Sequence, residues 1–72
     1  MPPEHLRQLA INLRNAREAS GLSQVRLSQR SGVDLGHINK LENAHRDTTT
    51  QTLLRLARAL GTTPAELLRD IN

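Results

Sequence analysis

A chain of 72 residues with no cysteine and no aromatic side chain is one small domain: it is too short to divide into two cores and carries no disulfide, thiolate nucleophile or Cys-based zinc site. Ten Lys and Arg against seven Asp and Glu leave a net charge of +3, carried almost wholly by arginine, a balance compatible with a polyanion partner. Single-strand and RNA modules stack bases on Phe, Tyr or Trp, so their absence favours duplex DNA. No stretch is apolar for long enough to cross a bilayer, and the opening Met-Pro-Pro-Glu does not resemble a signal peptide, so a cytoplasmic protein is expected.

Five helices are expected, with no competing strand pattern. The first begins near Glu4 after the proline pair, carries Leu6, Leu9, Ala10, Leu13 and Ala16 on one face, and stops at Ser20-Gly21. Ser23 caps the second, which carries Val25 and Leu27 and ends at Ser31. Gly32 follows where a left-handed backbone is required. Asp34 caps the third, with Ile38 and Leu41 as its inward stripe, and a polar loop spans Ala44 to Thr49. Thr49 or Thr50 starts the fourth, which runs through Leu53, Leu56, Ala57 and Leu60 to a stop at Gly61. Thr63, Pro64 and Glu66 mark the start of the fifth with a T-x-x-E capping box, and Leu67, Leu68 and Ile71 are its apolar residues.

Helix, glycine turn, helix over residues 23–43 is the layout that lets a second helix enter a DNA major groove. Through Leu22, Ser23, Gln24, Leu27, Gln29, Gly32, Val33, Ile38, Leu41, Glu42 and Asn43 the segment resembles the helix-turn-helix of the Cro/C1-type phage repressors and their bacterial relatives. The likeness continues through Leu53, Leu54, Leu56, Ala57, Leu60 and Gly61 to Leu67 and Leu68, covering nearly the whole of 1–72 without a gap. It implies an all-α, five-helix lambda-repressor-like domain and a sequence-specific transcriptional regulator of double-stranded DNA.

With Ile38 inward, a step of about 100° per residue turns Leu41 and Glu42 toward the protein. Gly36, Lys40 and Asn43 then point away, with Asn39 on the flank. The outward positions match those that read bases in the resembled family: Leu35, Gly36, Asn39 and Lys40. Asn39 can pair with adenine N6 and N7, and Lys40 can donate to guanine or reach a phosphate. Leu35 and Gly36 depart from the longer polar residues common in relatives. Leu35 either presses on a thymine methyl or packs on the fourth helix; Gly36 either allows a close approach or is merely tolerated, at a cost of about 1 kcal/mol within a helix.

Phosphate contacts are expected from Gln24 at the start of the second helix, from Arg26, and from His37, Asn43 and Arg46 around the recognition helix. Arg26 stands where relatives commonly have the Glu of a capping box. The resemblance further implies that Arg17 pairs with Glu42 to orient the recognition helix, as structural support rather than a DNA contact. A homodimer through Leu68 and Ile71 is expected, bound to a near-palindrome.

Catalysis and metal binding find no support. His5, His37 and His45 lack ligand spacing, no nucleophile–base arrangement is evident, and the chain is small for a substrate pocket; no cofactor is implied. The helices also lack a large basic amphipathic stretch suited to a membrane surface. The alternative is an antitoxin or protein-interaction module of the same fold whose partner is a toxin or RNA polymerase.

Overall fold

A computed structural model describes residues 2–71; Met1 and Asn72, the ends of the expected domain, lie outside the described residues. The elements are α1 (Glu4–Ala19), α2 (Gln24–Ser31), α3 (Leu35–Glu42), α4 (Thr50–Leu60) and α5 (Pro64–Leu67), with no strand among the described residues.

Four of the five helix starts are capped by the residues the sequence nominates. Ser23 Oγ accepts from the N–H of Arg26 at 3.1 Å, Asp34 Oδ2 from His37 at 3.3 Å, Thr49 Oγ1 from Thr52 at 3.1 Å and Thr63 Oγ1 from Glu66 at 3.2 Å. Each satisfies one N–H that the first turn leaves without a partner. The Thr63 box is only half made. Glu66 Oε2 accepts instead from Arg69 Nη2 at 2.7 Å, a charged donor and so a stronger partner than a backbone amide. Gly32 closes α2 at φ +74, a left-handed backbone that a Cβ would strain.

A left-handed residue also ends α3, and it is not a glycine. Ala44 has φ +59, with His45 N donating to Lys40 O at 2.9 Å and Ala44 N to Leu41 O at 3.2 Å. The two bonds satisfy the last carbonyls of α3 in the Schellman pattern. Ala44 is itself buried, so its packed methyl offsets part of the roughly 1–2 kcal/mol that this backbone costs an L-residue.

The core gathers one stripe from every helix: Leu9 and Leu13 of α1, Leu27 of α2, Ile38 and Leu41 of α3, Leu53, Leu56, Ala57 and Leu60 of α4, and Leu67 of α5, with Val33 from the turn. A small chain without staples depends on this shared burial, since no helix here could bury its apolar face alone.

α5 is shorter than expected, ending at Leu67 rather than running on through Leu68 and Ile71. Its end is held from another helix. Asn12 Nδ2 on α1 donates to the carbonyls of Leu67 at 3.0 Å and Arg69 at 2.7 Å, while Gln8 Nε2 donates to Asn12 Oδ1 at 2.9 Å. The tail then turns through Asp70 at φ +66, which brings Ile71 back against the core and leaves Leu68 40% exposed.

Candidate nucleic-acid interface

Two flanks of α3 have opposite fates. Ile38, Leu41 and Glu42 are buried, whereas Leu35, Gly36, Asn39, Lys40 and Asn43 are all exposed in a row along the outer side. Leu35 keeps 40% of its surface, so it is not sealed against the fourth helix. At Gly36 a Cβ would lie 3.0 Å from Asp34 Oδ2, the oxygen that caps the helix. Glycine therefore leaves room for the cap, a reason the sequence alone does not disclose.

The helix is pinned from below by a buried carboxylate. Glu42, 4% exposed, receives Arg17 at two points, Nε to Oε2 at 2.7 Å and Nη2 to Oε1 at 2.9 Å. Arg17 Nη1 also donates to Leu22 O at 2.9 Å, which ties the end of α1 to the entry of α2. Arg14 adds a longer contact, Nε to Oε1 at 3.4 Å, and Gln24 Nε2 donates to Oε1 at 3.1 Å. Burial alone would push the Glu42 carboxyl up. The hydrogen bonds from Arg17 and Gln24, the Arg17 charge and the Arg14 bond outweigh it and hold the group below the ordinary glutamate value. The Glu42 hydrogen bond raises Arg17 in turn. One carboxylate thus joins α1, α2 and α3.

Gln24 is engaged more deeply than a free phosphate ligand. Half-buried at the first position of α2, it gives Nε2 to Glu42 and accepts from Asn39 Nδ2 at 3.4 Å on Oε1. Asn43 Nδ2 donates in turn to Asn39 O at 2.8 Å and to Asn39 Oδ1 at 3.3 Å. The expected Arg17–Glu42 pair is present; the recruitment of Gln24 and Arg14 to it is not legible from the motif. A glutamine opening one helix beside an asparagine-bearing helix was the available signal, but only the packing of α2 on α3 brings the amides together.

The remaining phosphate candidates are placed unequally. Arg26 and Arg46 are exposed on either side of the motif. His37 is half-buried, and its Nε2 is enclosed without a partner. In this rotamer a phosphate could be met only through the other edge of the ring. Burial first, then the Arg46 charge and, more weakly, Lys40 push His37 below the ordinary imidazole value against the pull of Asp34. His5 lies elsewhere, with Nε2 3.3 Å from Asp47 Oδ2. No three His, Asp or Glu side chains gather in a metal-holding group among the described residues, and no helix of theirs is long and apolar enough to cross a membrane.

Residues 13–67 match the helix-turn-helix family, a span that holds the Arg17–Glu42 pin, the turn at Gly32 and the whole exposed row. The chain belongs to the Cro/C1-type helix-turn-helix family. Control protein C.SmaI of Serratia marcescens is 40% identical over 60 residues, 83% of this chain and 71% of that protein. Among solved structures, the restriction-modification controller protein C.AhdI of Aeromonas hydrophila superposes with a TM-score of 0.83 at 37% identity, covering 86% of this chain and 94% of that one. The clp gene regulator ClgR of Corynebacterium glutamicum gives a TM-score of 0.85 at 26% identity, covering 94% and 72%. The Cro/C1-type family is one of DNA-binding transcription regulators and not an enzyme family, and the five helices follow its lambda-repressor-like arrangement. This member is a DNA-binding transcriptional regulator.

Proposed function

We propose that the whole span 1–72 acts as one domain, a cytoplasmic homodimeric controller that binds a near-palindromic operator and regulates a restriction–modification system. The setting is suggested by the likeness to C.AhdI, named as a restriction-modification controller protein, and to C.SmaI, named as a control protein. The observation that carries the reading is the uncovered row Leu35, Gly36, Asn39 and Lys40 on a helix whose opposite flank is locked to the protein. Asn39 and Lys40 supply hydrogen bonds to base edges, Leu35 supplies apolar contact to a thymine methyl, and Gly36 permits close approach. Gln24, Arg26, His37, Asn43 and Arg46 hold phosphates on either side and set the register. Three side chains specify too little DNA alone. Two copies joined through the exposed Leu68 end would read half-sites about 10 bp apart, or a multiple of that, centre to centre.

Selection of bound duplexes from a random pool, followed by sequencing, tests the whole reading. Enrichment of a palindrome with a fixed half-site spacing is the expected result. Failure to enrich any sequence, or the absence of a complex with any duplex at low salt, would overturn it.

A further inference from the structure

The exposed row of α3 has no side chain at Gly36, and a carboxylate from just outside the helix stands over that gap. Asp34 precedes α3 and is exposed, and its Oδ2 accepts from the His37 N–H at 3.3 Å as the N-cap. A Cβ on Gly36 would meet the same oxygen at 3.0 Å, so the carboxylate partly fills the space a side chain at 36 would take. An ionised carboxylate has about four lone-pair sites, and the cap engages one of them. The charges of Asp34, Arg46 and Lys40 all reach the His37 ring, so two cations stand near this carboxylate and temper its repulsion of phosphate.

We propose that Asp34 is a further specificity-determining residue: its carboxylate, lying over Gly36, takes the place of the side chain missing there and accepts a hydrogen bond from the N4 amino group of a cytosine. The N-terminal residues of a recognition helix are the ones that meet base edges. A carboxylate can only accept, so guanine, with N7 and O6, and thymine, with O4, both oppose it. Adenine has the N6 amino group, but its N7 acceptor lies beside that group and repels the charge. Cytosine offers N4 with no acceptor of its own in the major groove. Aspartate is short, and the bare backbone at Gly36 is what lets it come near a base. This role rests on the reading that the outer flank of α3 enters the groove.

Two variants separate reading from capping, since Asn and Ser cap helices about as well as Asp. In Asp34→Asn the amide oxygen is held by the His37 N–H, which turns Nδ2, a donor, toward the groove. In Asp34→Ser the one hydroxyl oxygen serves the cap and the charge is gone. Both are compared with wild type, Asn39→Ala and Lys40→Ala for affinity toward the selected operator and its single base-pair substitutions, with far-UV melting to establish folding. The expected result is one base pair of each half-site at which wild type prefers cytosine about tenfold. Asp34→Ser loses that preference, and Asp34→Asn transfers it to guanine or thymine, whose groove edges accept. If both folded Asp34 variants keep every base preference of wild type while Asn39→Ala or Lys40→Ala loses one, Asp34 only caps, its reading role is overturned, and base contact by the exposed row stands. Loss of a preference for any base other than cytosine also overturns it. If none of the four variants alters any base preference, the underlying reading of this flank fails and the role of Asp34 falls with it.

Discussion

Arg17 and Glu42 meet edge to edge, their two hydrogen bonds of 2.7 and 2.9 Å lying beneath the recognition helix with the Glu42 side chain wholly out of solvent. Such a pair orients more than it stabilises, because desolvating both charges consumes much of what their attraction returns. Breaking it is another matter, since one charge is then stranded.

Removing Arg17 alone (Arg17→Met) should cost about 3 kcal/mol, toward the low end for a stranded buried charge because Arg14, half-exposed, can move onto Glu42. Replacing both partners, Arg17→Met with Glu42→Met, should cost less than either single change, because no charge is left buried. Urea unfolding followed by far-UV circular dichroism measures this; the absence of Trp and Tyr rules out intrinsic fluorescence. A double variant as unstable as the sum of the singles would contradict the account.

Acid should weaken the fold through the same carboxylate. Glu42 is held below its ordinary value of 4.5, so the unfolded chain takes up its proton first as pH falls. The stabilisation is complete above that value and is lost progressively as pH drops through the lower, folded one. Urea midpoints for wild type should therefore fall more steeply below about pH 4.5 than those of the Arg17→Met, Glu42→Met variant. Parallel curves would place the acid sensitivity elsewhere.

The sequence discloses the helices well because their signals are local. Ser23, Asp34, Thr49 and Thr63 are short polar side chains next to apolar periodicity, and all four cap as expected. Ala44 escapes because its left-handed backbone is chosen by burial rather than by residue type. The end of α5 escapes because Asn12, fifty-five residues before Leu67, holds it. Of the site, the outward row and the Arg17–Glu42 pair follow from helical geometry and family resemblance. The amides of Gln24 and Asn39 could not be joined by spacing, because their meeting depends on how α2 crosses α3.

Lys40 is fully in the exposed row, and its contact can be assigned by the pattern of loss. A base contact predicts that Lys40→Ala weakens operator binding by about 1–3 kcal/mol and relaxes preference at one base pair. A phosphate contact predicts instead an even loss across all duplexes, with the salt slope reduced by about one. Titrations of operator and scrambled duplex at several salt concentrations separate the two.

Leu68 and Ile71 should part company under mutation although the sequence groups them. Leu68 is exposed at the end of the fold, where a second copy could cover it; Ile71 folds back on the core behind the turn at Asp70. Leu68→Glu should leave the urea midpoint of a dilute sample nearly unchanged while shifting sedimentation from dimer to monomer, because a charge on an apolar contact opposes association. Ile71→Ala should do the converse, lowering stability by roughly 1–2 kcal/mol through lost packing with the sedimenting mass retained at concentrations well above the dissociation constant. A monomeric Ile71→Ala protein would move the contact to the tail. An unaltered mass for Leu68→Glu would remove this end of the molecule from the dimer surface, and the half-site spacing would then have to be derived from another face.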